Sequence, residues 1–282
     1  MSIRYRVQHT SRYEYDRGVT ASINEARPTP KQTPWQTTLE SSLAIEPVTW
    51  THRYTDYWGT DVRVFEAIVG HRELTVRASS LVEIDSSRRP EGSAPEWTDL
   101  ASPTLRDEHA EFLAQTPATE PPAELAALAA GIAADHSPTD TARLIGEAVH
   151  AAMTYRTGVT EVHTTATEAW AERSGVCQDY AHLVVGALRH VGLPARYVSG
   201  YLHPAADPQV GDSARGESHA WVEGWLGEWT PQDPTNLAPV TDRHLVIGSG
   251  RDYGDVPPIK GIVAGPHESA DLTVEVELTR LA

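Results

Sequence analysis

The chain is poor in several groups that commonly announce a function. It has one cysteine, Cys177, in 282 residues. One thiol makes no internal disulfide, no iron–sulfur cluster and no cysteine-rich zinc site. Lysine is nearly absent. Lys31 and Lys260 stand alone, and neither follows a glycine-rich loop, so a phosphate-cradling P-loop is excluded. Positive charge as a whole is scarce: 23 Lys and Arg face 39 Asp and Glu, for a formal net charge of −16. Phosphate affinity comes from clustered Lys and Arg, so nucleic acid is not an expected partner, and an anionic membrane is not one either. No run approaches the roughly 20 apolar residues of a membrane span. The first residues, Met1 to Arg6, enter an alternating pattern with no signal-like apolar stretch. These absences together predict a cytoplasmic protein that keeps its thiol reduced. There is also no repeat at solenoid period, and no HExxH or similarly spaced metal set.

The chain does have enough apolar residues for a real core, 40 % of the total. Residues 1–84 read as antiparallel β. Ile3, Tyr5 and Val7 alternate with Arg4, Arg6 and Gln8. Leu39, Ser41, Leu43 and Ile45 share one side of a second run, and Val62, Val64, Leu74 and Val76 continue the period of two. A sandwich-like β-domain over residues 1–95 is the expected packing. Residues 85–103 are rich in Pro, Ser and Gly and read as a linker or long loop. Helical patterns follow near 104–114, 122–135 and 139–153. The remainder, 96–282, reads as a second, α+β region with a helical lead-in and a last alternating strand, 272–278. That strand is expected to rejoin a sheet, the N-terminal one being a candidate.

Within the second region, Cys177 to His190 reads as a helix. Ala181, Val184, Val185, Leu188 and Val191 form one apolar stripe, and Gly192 with Pro194 stops it. Cys177 therefore sits at a helix start, where unpaired N–H groups and the helix dipole favour a thiolate and can hold an oxyanion. Taken by itself, a lone cysteine is more often a small core residue. His219 opens a strand 42 residues later, and Asp233 closes the facing strand of a hairpin that turns at Gly227 and Glu228. Hairpin neighbours bring an imidazole and a carboxylate within hydrogen-bond reach, which is the nucleophile–base–orienter layout. With 13 histidines in the chain, spacing alone leaves accidental partners open.

Local sequence narrows the choice. Ser174-Gly175-Val176-Cys177-Gln178-Asp179-Tyr180-Ala181-His182 resembles the nucleophile motif of the transglutaminase-like superfamily. Ser218-His219-Ala220-Trp221-Val222-Glu223 resembles its histidine motif. Trp229 with Gln232-Asp233-Pro234-Thr235-Asn236 resembles its aspartate motif, and the three occur in the family's order. The segment from Gly250 through Arg251, Asp252, Tyr253, Asp255 and Pro258 resembles the tail of the bacterial cysteine-protease branch. Tyr5, Val7, His9, Thr10, Tyr13 and Tyr15 are similar to the small β-domain that precedes the core there. The resemblance implies a papain-like α+β core and a Cys177–His219–Asp233 triad. It implies no metal and no organic cofactor, and a peptide or protein substrate carrying an amide. The signature around the cysteine of papain proper is missing.

Several neighbours have plainer readings as well. His182 lies more than one turn beyond Cys177 and reads as a core or supporting histidine. Asp179 and Gln178, in the first turn, read as structural or as support for the site. Trp170 and Trp221 are candidates for an oxyanion donor or a cleft wall, with core packing as the alternative. Arg251, Asp252 and Tyr253 either shape the cleft or hold a loop. His163, His190, His203 and His244 read as surface or loop residues. Residues 203–217 form a loop long enough for a lid. The chemistry divides between hydrolysis, which a compact bacterial-type chain favours, and amine cross-linking. A binding or scaffold role on the same fold, or a peptide-processing partner of a ligase, stands further off.

Overall fold

The computed structural model describes residues 2–90, 92–216 and 218–282. Six strands open the chain: β1 (Ile3–Val19), β2 (Ala21–Ala26), β3 (Gln36–Glu46), β4 (Trp50–Thr55), β5 (Asp61–Ala67) and β6 (His71–Ile84). The period of two decides their faces. Tyr5 and Val7 are buried while Arg4 and Arg6 are exposed. Leu39 departs from the expected side. A register shift between Thr38 and Glu40 makes it the extra residue of a bulge, and it is left exposed.

Helices α1 (Trp97–Leu100), α2 (Pro103–Glu108), α3 (Ala110–Leu113), α4 (Ala123–Asp135) and α5 (Pro138–Ala152) follow. The pattern read near 104–114 is thus broken at His109 into two short pieces. Ser137 caps α5, accepting the Asp140 N–H at 3.2 Å, and Pro138 occupies its first turn. The stretch read as a linker is anchored at Arg89, whose guanidinium donates to the carbonyls of Val240 and Thr241. Glu91 of that stretch lies outside the described residues.

The rest of the chain is β7 (Thr154–Tyr155), α6 (Ala166–Glu172), β8 (Ser174–Gly175), α7 (Cys177–His190), β9 (Ala195–Leu202), β10 (Ser213–Gly216), β11 (Ser218–Trp225), β12 (Trp229–Gln232), β13 (His244–Gly250), β14 (Ile259–Ala264) and β15 (Ala270–Arg280). An antiparallel sheet in the order β12-β11-β9-β13 carries α7. The apolar stripe predicted for α7 understates its burial. Gln178 to Arg189 are all buried, because α4, α5 and α6 cover the sides the stripe leaves open. Gly192, at φ 86°, takes the left-handed turn that ends the helix.

Strands β14 and β15 return to the N-terminal region. The last strand pairs with β1 along Tyr5↔Arg280 to Tyr15↔Ala270. It completes the sheet β10-β15-β1-β6-β3, while β14 completes β14-β2-β5-β4. Tyr15, Phe65, Leu74 and Val76 fill the space between these two sheets. Tyr5, Val7, Val82 and Leu278 pack against Tyr201, Leu245 and Ile247, so the five-stranded sheet lies against β9 and β13. The two regions therefore share a packed interface, and this interface positions the cleft. The 203–217 stretch, read as a loop and candidate lid, is tied into this framework. Its strand β10 pairs with β15, and Gly211 and Asp212 bond the Arg280 backbone. Glu217 lies outside the described residues.

Candidate active site

The short strand β8 and the turn after it deliver Cys177 to the first position of α7. Asp179 fixes that turn. Its Oδ2 accepts the Val176 N–H and the Thr160 hydroxyl, both at 2.7 Å. Burial raises its carboxyl above the ordinary carboxylate range, against these hydrogen bonds. Gly175 has to be glycine here, since a Cβ would lie 2.4 Å from Asp179 Oδ2. Gln178 ties the turn to the facing loop by donating to the Val162 carbonyl at 3.1 Å. The first-turn N–H groups of α7 have no intrahelical acceptor, and Cys177 is partly exposed beside them.

The β11–β12 hairpin brings His219 and Asp233 together as the spacing predicts. Ionised Asp233 can only accept, so His219 Nε2–H donates to its Oδ2, at 2.8 Å. The Cys177 thiol lines the same two hollows as this imidazole. Burial by itself pushes His219 down, but the bond to Asp233 and the neighbouring Cys177 thiol outweigh it and lift the group to about 9. For Asp233, burial works upward and loses to the hydrogen bonds from His219 and Asn236 and to the nearby His244 imidazole. Its carboxyl is held well below the usual range. Its side chain is fully buried. Its Oδ1 accepts the Thr235 and Asn236 N–H groups, and Asn236 Nδ2 donates to Oδ2 at 2.8 Å.

His244 corrects the sequence reading. It is a buried residue at the start of β13, not a surface one, because β13 closes the sheet beside β9. The Thr241 N–H donates to its Nδ1 at 3.2 Å, which leaves the hydrogen of the neutral ring on Nε2. That nitrogen points at Asp233 Oδ2 from 3.5 Å. Burial keeps His244 below its ordinary range and therefore neutral. His203 is buried too, whereas His163 and His190 are exposed as expected. Nothing in the local sequence around His244 or His203 distinguishes them from exposed histidines. His219, Asp233 and His244 also bring their nitrogen and oxygen atoms within 4.8 Å of one another, a donor set that suits a divalent metal. Only tertiary structure creates that grouping.

The remaining candidates separate by position. Trp221 is fully buried and packs on the His244 ring and beside His219, so it supports the histidines from behind. Gly200, the cross-strand partner of His219, leaves room for it: a Cβ there would stand 2.5 Å from the Trp221 ring. Trp170 is in the helical core, donates to Glu124 at 2.9 Å and stacks under Arg173. It does not line the cleft, so neither tryptophan offers itself as an oxyanion donor. His182 is buried, accepts the Tyr253 N–H at 3.1 Å, and is pushed down by burial to about 4. It holds the 252–254 turn against α7, which places Tyr253 on the cleft wall. Arg251 pairs with Asp255 at 2.9 Å and Asp252 caps the Gly254 N–H, so both hold that turn.

Two hollows flank Cys177. One, of about 270 Å³, is lined by Tyr155, Val162, Tyr197, Tyr253 and residues of β1 and β15. The other, of about 340 Å³, is lined by Leu202, Pro204, Arg215, Thr235 and Asn236. Sequence reasoning missed the β1 and β15 contributors, because they lie more than 90 residues from Cys177 on either side.

Sequence comparisons bear on the family of the chain. The family described as the transglutaminase-like superfamily matches residues 126–234. The bacterial transglutaminase-like N-terminal region matches residues 5–83. An uncharacterized protein of Mycobacterium leprae is 43 % identical over 279 residues, with 99 % of each chain covered. The chain belongs to the transglutaminase-like superfamily. A structure of a candidate cysteine protease from Cytophaga hutchinsonii shares the fold at a TM-score of 0.78 and 21 % identity. The match covers 100 % of this chain and 92 % of that one. A protein-glutamine gamma-glutamyltransferase of Pseudomonas aeruginosa is 42 % identical over 69 residues, which is 22 % of this chain and 10 % of that protein. Members of this superfamily are generally enzymes, and the α+β fold with its β-rich N-terminal region is theirs. Among the described residues no helix is long and apolar enough to cross a membrane.

Proposed function

We propose that the protein is a cysteine-dependent acyl-transfer enzyme acting on amides, with Cys177 as nucleophile, His219 as base and Asp233 as orienter. The observation that carries this reading is the imidazole of His219. One of its nitrogens is fixed on buried Asp233 at 2.8 Å, and the ring shares both flanking hollows with the Cys177 thiol. The thiolate attacks the amide carbonyl and the first-turn N–H groups of α7 receive the oxyanion. The C–N bond breaks, the imidazolium proton passes to the leaving amine, and a thioester remains. His219 then deprotonates water, which attacks the thioester and releases the acid. Side chains and water suffice for every step. Hydrolysis of a peptide or protein amide is the favoured outcome. The local similarity to a protein-glutamine gamma-glutamyltransferase supports a second reading, in which a primary amine replaces the water.

Alkylation by iodoacetamide from pH 4 to 10 tests the core of this reading, because the single thiol is the one site to follow. Wild type, His219→Ala and unfolded protein are compared by mass spectrometry. An unfolded thiol titrates near about 8.5. The proposal expects folded wild type to react well below that pH and His219→Ala to lose this acidic limb. A folded thiol inert at every pH overturns it in favour of a scaffold role. Conversion of glutamine to glutamate against fluorescent-amine incorporation, on a glutamine-bearing protein, then separates hydrolysis from cross-linking.

A further inference from the structure

The hollow of about 270 Å³ beside Cys177 is built by two regions of the chain. Val176 and Ala220 come from the start of α7 and from β11, which carry the thiol and the imidazole, and Tyr197 from the adjoining β9, whereas His9, Leu272 and Val274 come from β1 and β15. Register explains the second set. Ser11 faces Val274 and Tyr13 faces Leu272 across the β1–β15 pair, and the packing of this sheet on β9 and β13 turns that stretch toward α7.

We propose that this N-terminal sheet is a substrate-selecting wall, and that it takes an uncharged, apolar side chain flanking the amide that Cys177 attacks. The inference rests on the acyl-transfer reading given above.

Charge is the first argument. The chain carries 39 acids and 23 Lys and Arg, yet among the described residues no Asp, Glu, Lys or Arg lines this hollow. Its one basic-type side chain from the wall, His9, is committed: Nδ1 to the Tyr201 hydroxyl at 2.7 Å and Nε2 to Ser11 Oγ at 3.1 Å. Burial pushes His9 down to about 4, so it adds no charge at neutral pH. Apart from the catalytic Cys177 and His219, the described lining offers a charged substrate group no charged partner, so seating one here is costly.

Surface is the second argument. Leu272 is 50 % exposed and Val162 52 %, and both line the hollow. A substrate side chain seated against them removes apolar area from water. The volume falls just below the roughly 300–1,000 Å³ of pockets that take whole drug-sized ligands, and suits one or two side chains. The hollow across Cys177 differs, since Arg215 lines it. Selection for apolar groups is therefore a property of one side of the nucleophile.

The test uses reagents that need no known substrate and either side of which is open to them. Iodoacetamides N-substituted with isobutyl, benzyl, 2-carboxyethyl or 2-aminoethyl groups are reacted with Cys177. Each second-order rate constant is divided by that of the same reagent with glutathione, and then by the ratio for plain iodoacetamide. The proposal expects the isobutyl and benzyl reagents to exceed the two charged ones by about tenfold, the selectivity typical of an apolar pocket. Leu272→Asp and Val162→Asp, both at exposed positions, should erase that advantage and favour the aminoethyl reagent. Plain iodoacetamide should still show an acidic limb in both variants. Loss of the acidic limb already in wild type refutes the acyl-transfer reading itself. An intact limb with no apolar preference, or with a preference that both variants retain, overturns the wall alone.

Discussion

Replacing His219 by glutamine should flatten the pH dependence of stability by an amount that the local geometry sets. His219 is lifted from 6.5 to about 9 in the folded protein. Its raised value means that its contribution is fully present below about 6.5 and is lost as pH rises through about 9. Asp233 works in the opposite sense: held below its ordinary range, it contributes above about 4 and loses that as pH falls. The two share one interaction, so it counts once, and it is greatest between about pH 4 and 6.5. The interval from 6.5 to about 9 corresponds to roughly 3 kcal/mol at about 1.4 kcal/mol per pH unit. The His219 side chain is 11 % exposed and Asp233 fully buried, so solvent screening takes little from that figure. Urea unfolding at pH 6 and pH 9.5 gives the assay. Wild type should lose about 3 kcal/mol more than His219→Gln between the two pH values. Cys177→Ser should keep a part of that loss, because the bond to Asp233 is the largest single effect that raises His219. Equal pH dependence in wild type and His219→Gln, within about 0.5 kcal/mol, would refute the ion-pair reasoning.

Three further outcomes follow from neighbouring contacts. His244→Phe keeps the packing on Trp221 but removes the N–H aimed at Asp233; alkylation of Cys177 at pH 6 should slow several-fold and His244→Gln should restore it, whereas equal loss in both variants would mean a packing role. Gln36 is buried, donates to the carbonyls of Lys31 and Val246 and accepts the Val246 N–H at 2.8 Å. Gln36→Leu strands the Lys31 carbonyl and the Val246 N–H between the two regions and should cost about 3 kcal/mol, read as a lowered urea midpoint. A Cβ at Gly200 would meet the Leu245 carbonyl at 2.1 Å as well as the Trp221 ring. Gly200→Ala should therefore cost about 2 kcal/mol and change the Trp221 environment in near-ultraviolet circular dichroism.

The limits of sequence reading are visible in particular residues. The β11–β12 hairpin was legible because its turn and both strands are contiguous, so the pairing of His219 with Asp233 followed from local chemistry. The start of α7 was legible for the same reason, with Gly192 marking its end. Leu39 was misplaced because a bulge breaks the period of two without a local signature. The stretch 203–217 looked free because the strand that holds β10, β15, lies about 60 residues away.

By itself the sequence determined the chemical inventory and its order along the chain: one thiol, the helix that begins on it, and the hairpin that carries an imidazole and a carboxylate. These follow from periodicity, caps and turns, which act over a few residues. Only the tertiary structure decided what surrounds them. It set a second imidazole, His244, against Asp233, put Trp170 in the core and Trp221 behind the histidines, and turned His9, Leu272 and Val274 toward Cys177. Those placements depend on which sheets pack face to face, and that is a choice made by apolar burial summed over the whole chain, which no short segment encodes.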